Sequence, residues 1–409
     1  MRQTVLKSLD FAHRMSRHAS ITQPRQNTFE WVYEYRRNVP MPKSRAYISN
    51  WIEKGDGMFL IDGEAGSGKS TLMKFIADSP RTQQLLDTST KTAVMTASFY
   101  FDSTGTAMQN SLEGMFRTLL YEIFRQRPEL VSLLSSVVSN RDTVSNQHHC
   151  PAPWTPHSLR SALLTVFTMS SCRFCFFIDG LDEYEGDMDA LASNLQELAS
   201  YSNVKLCVSS SPSASTCLRE ITSFKEEIYL KHLTYFDIIE YIKSCIQAHP
   251  RWSSLTQKSS ERNSLVKEIQ RRADGSFLWL ILTMKILRDA TDNRTSLQSL
   301  RQQLKSLPLD LEGLYRHILQ SFEPSDQEKA ELTLEIATAA KQPLHAMAYD
   351  FFEKGCIDAD NVAHWPTLPP AMLNAKVNRI LRDRTGSLLV LSSNSSCVQF
   401  LHRTVRDFL

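Results

Sequence analysis

Apolar positions along the first 230 residues gather in short blocks separated by longer stretches of helical periodicity. Met58 to Ile61 form an unbroken apolar run that stops at a glycine-rich turn, and Ser70 to Asp78 then read as a helix ended by Ser79-Pro80. Ala93 to Phe101 read as a second buried strand. Leu112, Met115, Phe116, Leu119, Leu120, Ile123 and Phe124 recur at helical spacing and predict a helix laid over the sheet. A helix over Leu159–Met169 precedes a third apolar run, Phe174 to Ile178, which closes on Asp179. A helix over Met188–Leu198 and strands at Val204–Ser210 and Glu226–Leu230 follow. Strands alternating with helices imply a parallel sheet covered by helices on both faces.

Beyond Thr234 the rhythm changes, and no strand pattern appears for about 150 residues, which marks a domain boundary. Helices are expected over Tyr235–Ala248, from Glu261 toward Gly275, and over Leu297–Leu304, Leu311–Phe322, Gln327–Ala340, Pro343–Glu353 and Ala375–Arg382. Phe277 to Leu287 is apolar all round and predicts a buried helix. Ser387–Leu391 and Cys397–Leu401 flank a serine-rich turn and read as a β-hairpin, so helices followed by a hairpin suggest a winged-helix-like domain. The expected division is a loosely packed basic arm at 1–27, an α/β domain at 28–233, a helical domain at 234–323 and the winged-helix-like domain at 324–409.

Composition changes this picture little. Hydrophobic residues make up 42% and charged residues 22%, ordinary for a globular protein, and the net charge of +2 argues against wholesale binding to nucleic acid or anionic membrane. No signal peptide or spanning segment is legible, so a cytoplasmic location is expected. Cys172 and Cys175 form a C-x-x-C, with His148, His149 and Cys150 upstream. No second pair completes a tetrahedral set, and the eight cysteines are read as reduced.

The chemistry lies at the ends of two apolar runs. Gly63-Glu-Ala-Gly-Ser-Gly-Lys-Ser70 fits G-x-x-x-x-G-K-[ST], the phosphate loop. Glycines let the backbone wrap a phosphate, and its N–H groups form an anion nest at the positive end of the next helix. The candidate nucleotide-binding residues are Gly63, Glu64, Ala65, Gly66, Ser67, Gly68, Lys69, Ser70 and Thr71. Lys69 would reach the β/γ-phosphates and the Ser70 hydroxyl would hold Mg²⁺. About a hundred residues on, Asp179 at a strand's carboxyl end would orient the same metal, and Asp182 or Glu183 would position the attacking water. The expected fold class is therefore an α/β P-loop NTPase followed by the helical and winged-helix-like domains. The aromatics Trp31, Tyr33, Tyr47 and Trp51 either pack the sheet edge or border the nucleotide base.

Four separated stretches resemble a fungal NACHT protein of the STAND class of P-loop NTPases, the NOD-like receptor core, with a nephrocystin-3-like N-terminal segment. They are the phosphate loop, Phe176-Phe-Ile-Asp-Gly-Leu-Asp-Glu183, Gly275-Ser-Phe-Leu-Trp-Leu280 and Phe400-Leu-His-Arg-Thr-Val-Arg-Asp-Phe-Leu409; the Thr28-Phe-Glu-Trp31 opening is similar too. The resemblance spans roughly residues 28–409. It implies a switch closed with ADP and opened by ATP, whose open form oligomerises and signals to an effector, often in self/non-self recognition or cell death. It puts His402 at the histidine of the winged-helix Met-His-Asp motif, which touches the ADP β-phosphate; here Leu401-His-Arg403 stands instead, and capping of the terminal helix is an equal reading. Where the family carries Ser-Ser-Arg-Pro, this chain has Ser209-Ser-Ser-Pro212. Serine lacks the charge and reach of an arginine, so slow hydrolysis is expected.

Two other functions stay open at this level: a conventional NTPase or small-molecule kinase with steady turnover, and a winged-helix DNA-binding protein under nucleotide control. Arg382, Arg384, Arg403 and Arg406 favour the last, but Asp383 and Asp407 interleave them. Absence of an Asn/Thr-Lys-x-Asp signature tilts the base toward ATP, although some relatives use GTP. With no repeat array after the last motif, the chain reads as a fragment, a truncated product or a switch lacking its own sensor.

Overall fold

The computed structural model describes residues 2–25, 28–33, 46–88, 92, 94–134, 154–249, 252, 258–292, 296–340, 342–353, 369–392 and 396–409. His148, His149 and Cys150 lie outside the described residues. The chain divides into two compact units, Met1–Tyr241 and Ile242–Leu409.

In the first unit, five parallel strands form one sheet: β1 (Gly57–Asp62), β2 (Val94–Tyr100), β3 (Arg173–Asp179), β4 (Val204–Ser210) and β5 (Phe224–Tyr229), in the order β2-β3-β4-β1-β5. Each expected strand is present within a few residues of its predicted ends. Phe174 to Ile178 are all at most 1% exposed because helices cover both faces of β3. Each such side chain contributes about 1.5–3 kcal/mol by leaving water. The order puts β4 between β1 and β3, so the phosphate loop after β1 and the acidic turn after β3 flank the end of β4.

The helices of this unit are α1 (Arg2–Leu9), α2 (Ser16–Ser20), α3 (Ala46–Lys54), α4 (Lys69–Asp78), α5 (Pro80–Thr88), α6 (Leu112–Gln126), α7 (Pro156–Met169), α8 (Met188–Ala199) and α9 (Pro212–Ile221). Their starts follow sequence-local chemistry: the Ser111 side chain accepts from Gly114 N to open α6, and Thr155 with Ser158 forms a capping box before α7. Trp31, Ile48, Trp51 and Ile52 are buried; the Trp51 ring lies 5.3 Å from that of Phe59 on β1, and the Trp31 indole donates to Asp237 at 2.7 Å.

Within the arm expected at 1–27, the described residues 2–25 are packed rather than loose. Leu9 is fully buried in the apolar cluster that holds Leu119 and Leu120 of α6, with Val5, Leu6 and Phe11 packed against it. Arg14 pairs with Glu122 at 3.0 Å, and Arg117 donates to the Ser8 carbonyl at 2.7 Å. Arg14 also stacks its guanidinium 3.8 Å from the Tyr121 ring centroid, so one basic residue of the expected arm is tied to α6 by both stem and charge.

α10 (Tyr235–Ala248) crosses the unit boundary. The second unit then builds α11 (Ser259–Ala273), α12 (Phe277–Asp292), α13 (Leu297–Ser306), α14 (Leu311–Gln320), α15 (Pro324–Ala339), α16 (Ala346–Glu353), α17 (Pro370–Thr385) and α18 (Arg403–Phe408). Between α17 and α18, strands β6 (Leu389–Leu391) and β7 (Val398–Phe400) pair antiparallel as the expected hairpin. Helix α12 is buried along most of its apolar run, at Leu278, Trp279, Leu280, Leu282, Met284 and Leu287, while Ile281 is 42% exposed. An all-apolar helix in a small domain still has one side left over for solvent.

Candidate functional site

The phosphate loop folds as its residues dictate. Gly66 and Gly68 take φ of 74° and 95°, values that side chains with a Cβ rarely adopt. A Cβ on Gly63 would come within 2.8 Å of Ser67 Oγ. The Gly63 amide donates to the Ser210 carbonyl at 3.3 Å, which fastens the loop's entry to β4. Glu64 and Ala65 form its outer turn, Glu64 exposed and accepting from the Tyr229 hydroxyl at 3.2 Å. Ser70 and Thr71 lie in the first turn of α4, which Lys69 begins. The Lys69 ammonium folds back onto its own loop, donating to the Gly63 carbonyl at 2.5 Å and the Glu64 carbonyl at 3.1 Å.

Asp179 ends β3 with 1% of its surface exposed. Ser209 Oγ donates to its Oδ1 at 2.6 Å, and its Oδ2 is buried without a hydrogen-bond partner. Burial pushes the Asp179 carboxyl up from its ordinary range. The hydroxyls of Ser209 and Ser70 and the charges of Arg17 and Lys69 act against that shift. The loop and the β3 carboxylate therefore share one electrostatic environment. A free carboxylate oxygen beside the Ser70 hydroxyl is the donor set that a hard, oxygen-seeking cation takes, so these residues fit Mg²⁺. Ser67 Oγ is likewise buried and unpartnered within the loop.

The acidic pair follows in a single 3₁₀ turn, Leu181–Glu183, entered through Gly180 at φ 73°. Asp182 Oδ1 accepts from the Ser211 amide at 3.1 Å. Glu183 is 7% exposed and held at both oxygens: Arg17 Nη2 approaches Oε1 at 3.3 Å, and the Ser103 amide donates to Oε2 at 3.2 Å. Burial disfavours charge on Arg17, but the carboxylates of Glu183, Asp102, Asp179 and Asp182 outweigh it and keep its pKa raised.

Two contributors receive no role from the sequence. Arg17 arrives from α2, where only its contact with a distant carboxylate marks it. Ser209 is a plain strand residue until its register beside Ile61 puts it at the sheet's carboxyl edge. His402 lies in the second unit as N-cap of α18, its Nδ1 accepting from the Thr404 amide at 3.2 Å, a contact of the kind given by one of its two readings. Cys175 is buried in β3 with its thiol pushed up to about 12 by burial, an unsuitable state for a metal-binding thiolate.

The family model described as nephrocystin 3, N-terminal, matches residues 43–211. No curated protein matches the chain in sequence. Among solved structures, the ORC2 protein of Aeropyrum pernix in its ADPNP–ADP complexes is similar at 12% identity, over 89% of this chain and 90% of that one, with a TM-score of 0.36. A Walker-type ATPase of Pyrococcus abyssi is similar at 14% identity, over 90% and 98%, with a TM-score of 0.34. A STAND protein with a tetratricopeptide-repeat sensor from Pyrococcus horikoshii is similar at 12% identity and a TM-score of 0.39; the match covers 93% of this chain and 44% of that protein. Among the described residues no helix is long and apolar enough to cross a membrane. The family match spans both the phosphate loop and the β3 carboxylate, which lie on one five-stranded parallel sheet.

Proposed function

We propose that this protein is a nucleotide-controlled switch of the NACHT/STAND type, closed with ADP and opened by ATP, that hydrolyses slowly and signals in the cytoplasm. Its output is a conformation, passed on through assembly of its own copies and an effector partner in self/non-self recognition or cell death. The observation that carries this reading is the state of Glu183. The carboxylate that would position the attacking water is paired with a guanidinium and receives a backbone N–H, both of which weaken it as a base. Ser211, at the place where an arginine would sense the terminal phosphate, supplies no charge. Slow turnover with retained nucleotide follows from both. Lys69, Ser70 and Asp179 would hold the phosphates and Mg²⁺, which supplies charge neutralisation when bound.

The test is to identify and count the nucleotide that accompanies the purified protein and then to measure steady phosphate release. Retained ADP with turnover well below about 1 s⁻¹, the low end for ordinary enzymes, is expected. Release at or above that rate with no retained nucleotide would identify a conventional NTPase instead. Lys69→Ala is expected to remove binding, and unchanged binding would overturn the site.

A further inference from the structure

Nothing in the hydropathy pattern singles out Arg17, yet it stands at the acidic end of the site. Its side chain is 22% exposed, its Nη2 lies 3.3 Å from Glu183 Oε1, and its Nε is buried with no hydrogen-bond partner. It and Lys69 are the two cations whose charge favours ionised Asp179. We propose that Arg17 binds the terminal phosphate of the nucleotide, lets the site tell a triphosphate from a diphosphate, and passes that distinction to the N-terminal segment. This rests on the reading of the phosphate loop as a nucleotide site.

Three observations support it. First, the Arg17–Glu183 contact is long and single for a charge-assisted pair, which normally closes to about 2.7–2.9 Å. A guanidinium has five donors in a rigid fork, and the buried Nε–H still lacks an acceptor. Second, a terminal phosphate attacked by water held at Asp182 and Glu183 must lie beside those carboxylates, hence beside Arg17. Four carboxylates around one guanidinium would repel a triphosphate were that guanidinium and the metal absent. Third, the segment carrying Arg17 is fastened to the phosphate-loop helix. Lys74 of α4, 5% exposed, donates to the His18 carbonyl at 2.6 Å and the Ile21 carbonyl at 2.9 Å, and His18 lies 2.9 Å from Asp78. Helix α4 thus positions both the phosphates and the residue that reads them.

The experiment measures binding of MgADP and of a non-hydrolysable Mg-triphosphate analogue to the full chain, its Arg17→Ala variant and its Arg17→Lys variant. Hydrogen exchange of residues 2–21 is followed in each state. Both variants are expected to lose triphosphate affinity by about tenfold or more, the worth of a charged hydrogen bond, while ADP affinity stays within about threefold. Triphosphate, but not ADP, should change exchange of residues 2–21 in the parent and not in the variants. Arg17→Lys keeps a cation beside Glu183, so it reports even if Arg17→Ala fails to fold. Equal losses for the two nucleotides, or an unaltered triphosphate preference in Arg17→Lys, would overturn the proposal while leaving the nucleotide site standing. Failure of the parent to bind either nucleotide would overturn both.

Discussion

Ser209 Oγ donates to Asp179 Oδ1 at 2.6 Å and at the same time accepts from the Gly180 amide at 2.9 Å. The two residues that follow extend the connection: the Ser210 carbonyl accepts from Gly63 N, and the Ser211 amide donates to Asp182. Three successive serines at the end of β4 therefore join the phosphate loop to the acidic turn. The strand lying between the two halves of the site holds them in register through the Ser209 hydroxyl and the backbone groups of Ser210 and Ser211.

Ser209→Ala tests that connection. The substitution removes a donor to a buried carboxylate and an acceptor for a buried amide, at a position with no exposed surface. Leaving such groups unpaired costs about 1–3 kcal/mol. Chemical denaturation should show a loss of that size, and the Mg²⁺ concentration needed for tight nucleotide binding should rise. Parent-like stability together with a parent-like Mg²⁺ dependence would mean that Ser209 fixes nothing.

Asp179→Asn should act in the opposite direction on stability. The amide oxygen can still accept from Ser209, while the buried charge disappears. Removing a buried charge that Arg17 and Lys69 only partly offset stabilises, here by about 1 kcal/mol or more. Without nucleotide and metal the variant should therefore melt above the parent, yet gain little from adding Mg²⁺ to bound nucleotide. A variant that melts below the parent and still responds to Mg²⁺ would refute the assignment of this carboxylate to the metal.

How far the sequence revealed this arrangement depends on the range of the interaction. Strands β1 and β3 were legible because burial on both faces leaves unbroken apolar runs, and the loop because φ values such as that of Gly68 demand glycine at fixed spacing. Their meeting was inferable from parallel-sheet topology alone. Arg17 was not, since a basic residue on a short polar stretch looks identical whether it meets water or a carboxylate 166 residues away. Burial of α1 was hidden for the same reason: Leu9 is a single apolar position whose partners lie on α6.

Ser211→Arg addresses the serine that stands where the NACHT proteins this chain resembles carry an arginine. Ser211 precedes α9, half-buried, and its amide already touches Asp182. A guanidinium introduced there would stand at the acidic turn and could meet charge developing on the terminal phosphate. Arginines in that role contribute about 10³–10⁵ in rate, so even a poorly placed one should raise phosphate release by about tenfold. An unchanged rate would show that lack of this charge does not limit hydrolysis.

Glu183→Gln separates binding from chemistry. Glutamine keeps an oxygen that can accept from the Ser103 amide, so the turn should hold its shape. It cannot draw a proton from water, and removal of a general base costs typically about 10²–10⁴ in rate. The charge that Arg17 faces is also lost, which frees the guanidinium for other acceptors. Triphosphate affinity should therefore be kept or increased while phosphate release falls by about a hundredfold or more. Single-turnover hydrolysis measured beside equilibrium binding distinguishes the outcomes. Parallel losses of affinity and rate would make Glu183 a structural residue, and an undiminished rate would move the water-positioning role to Asp182.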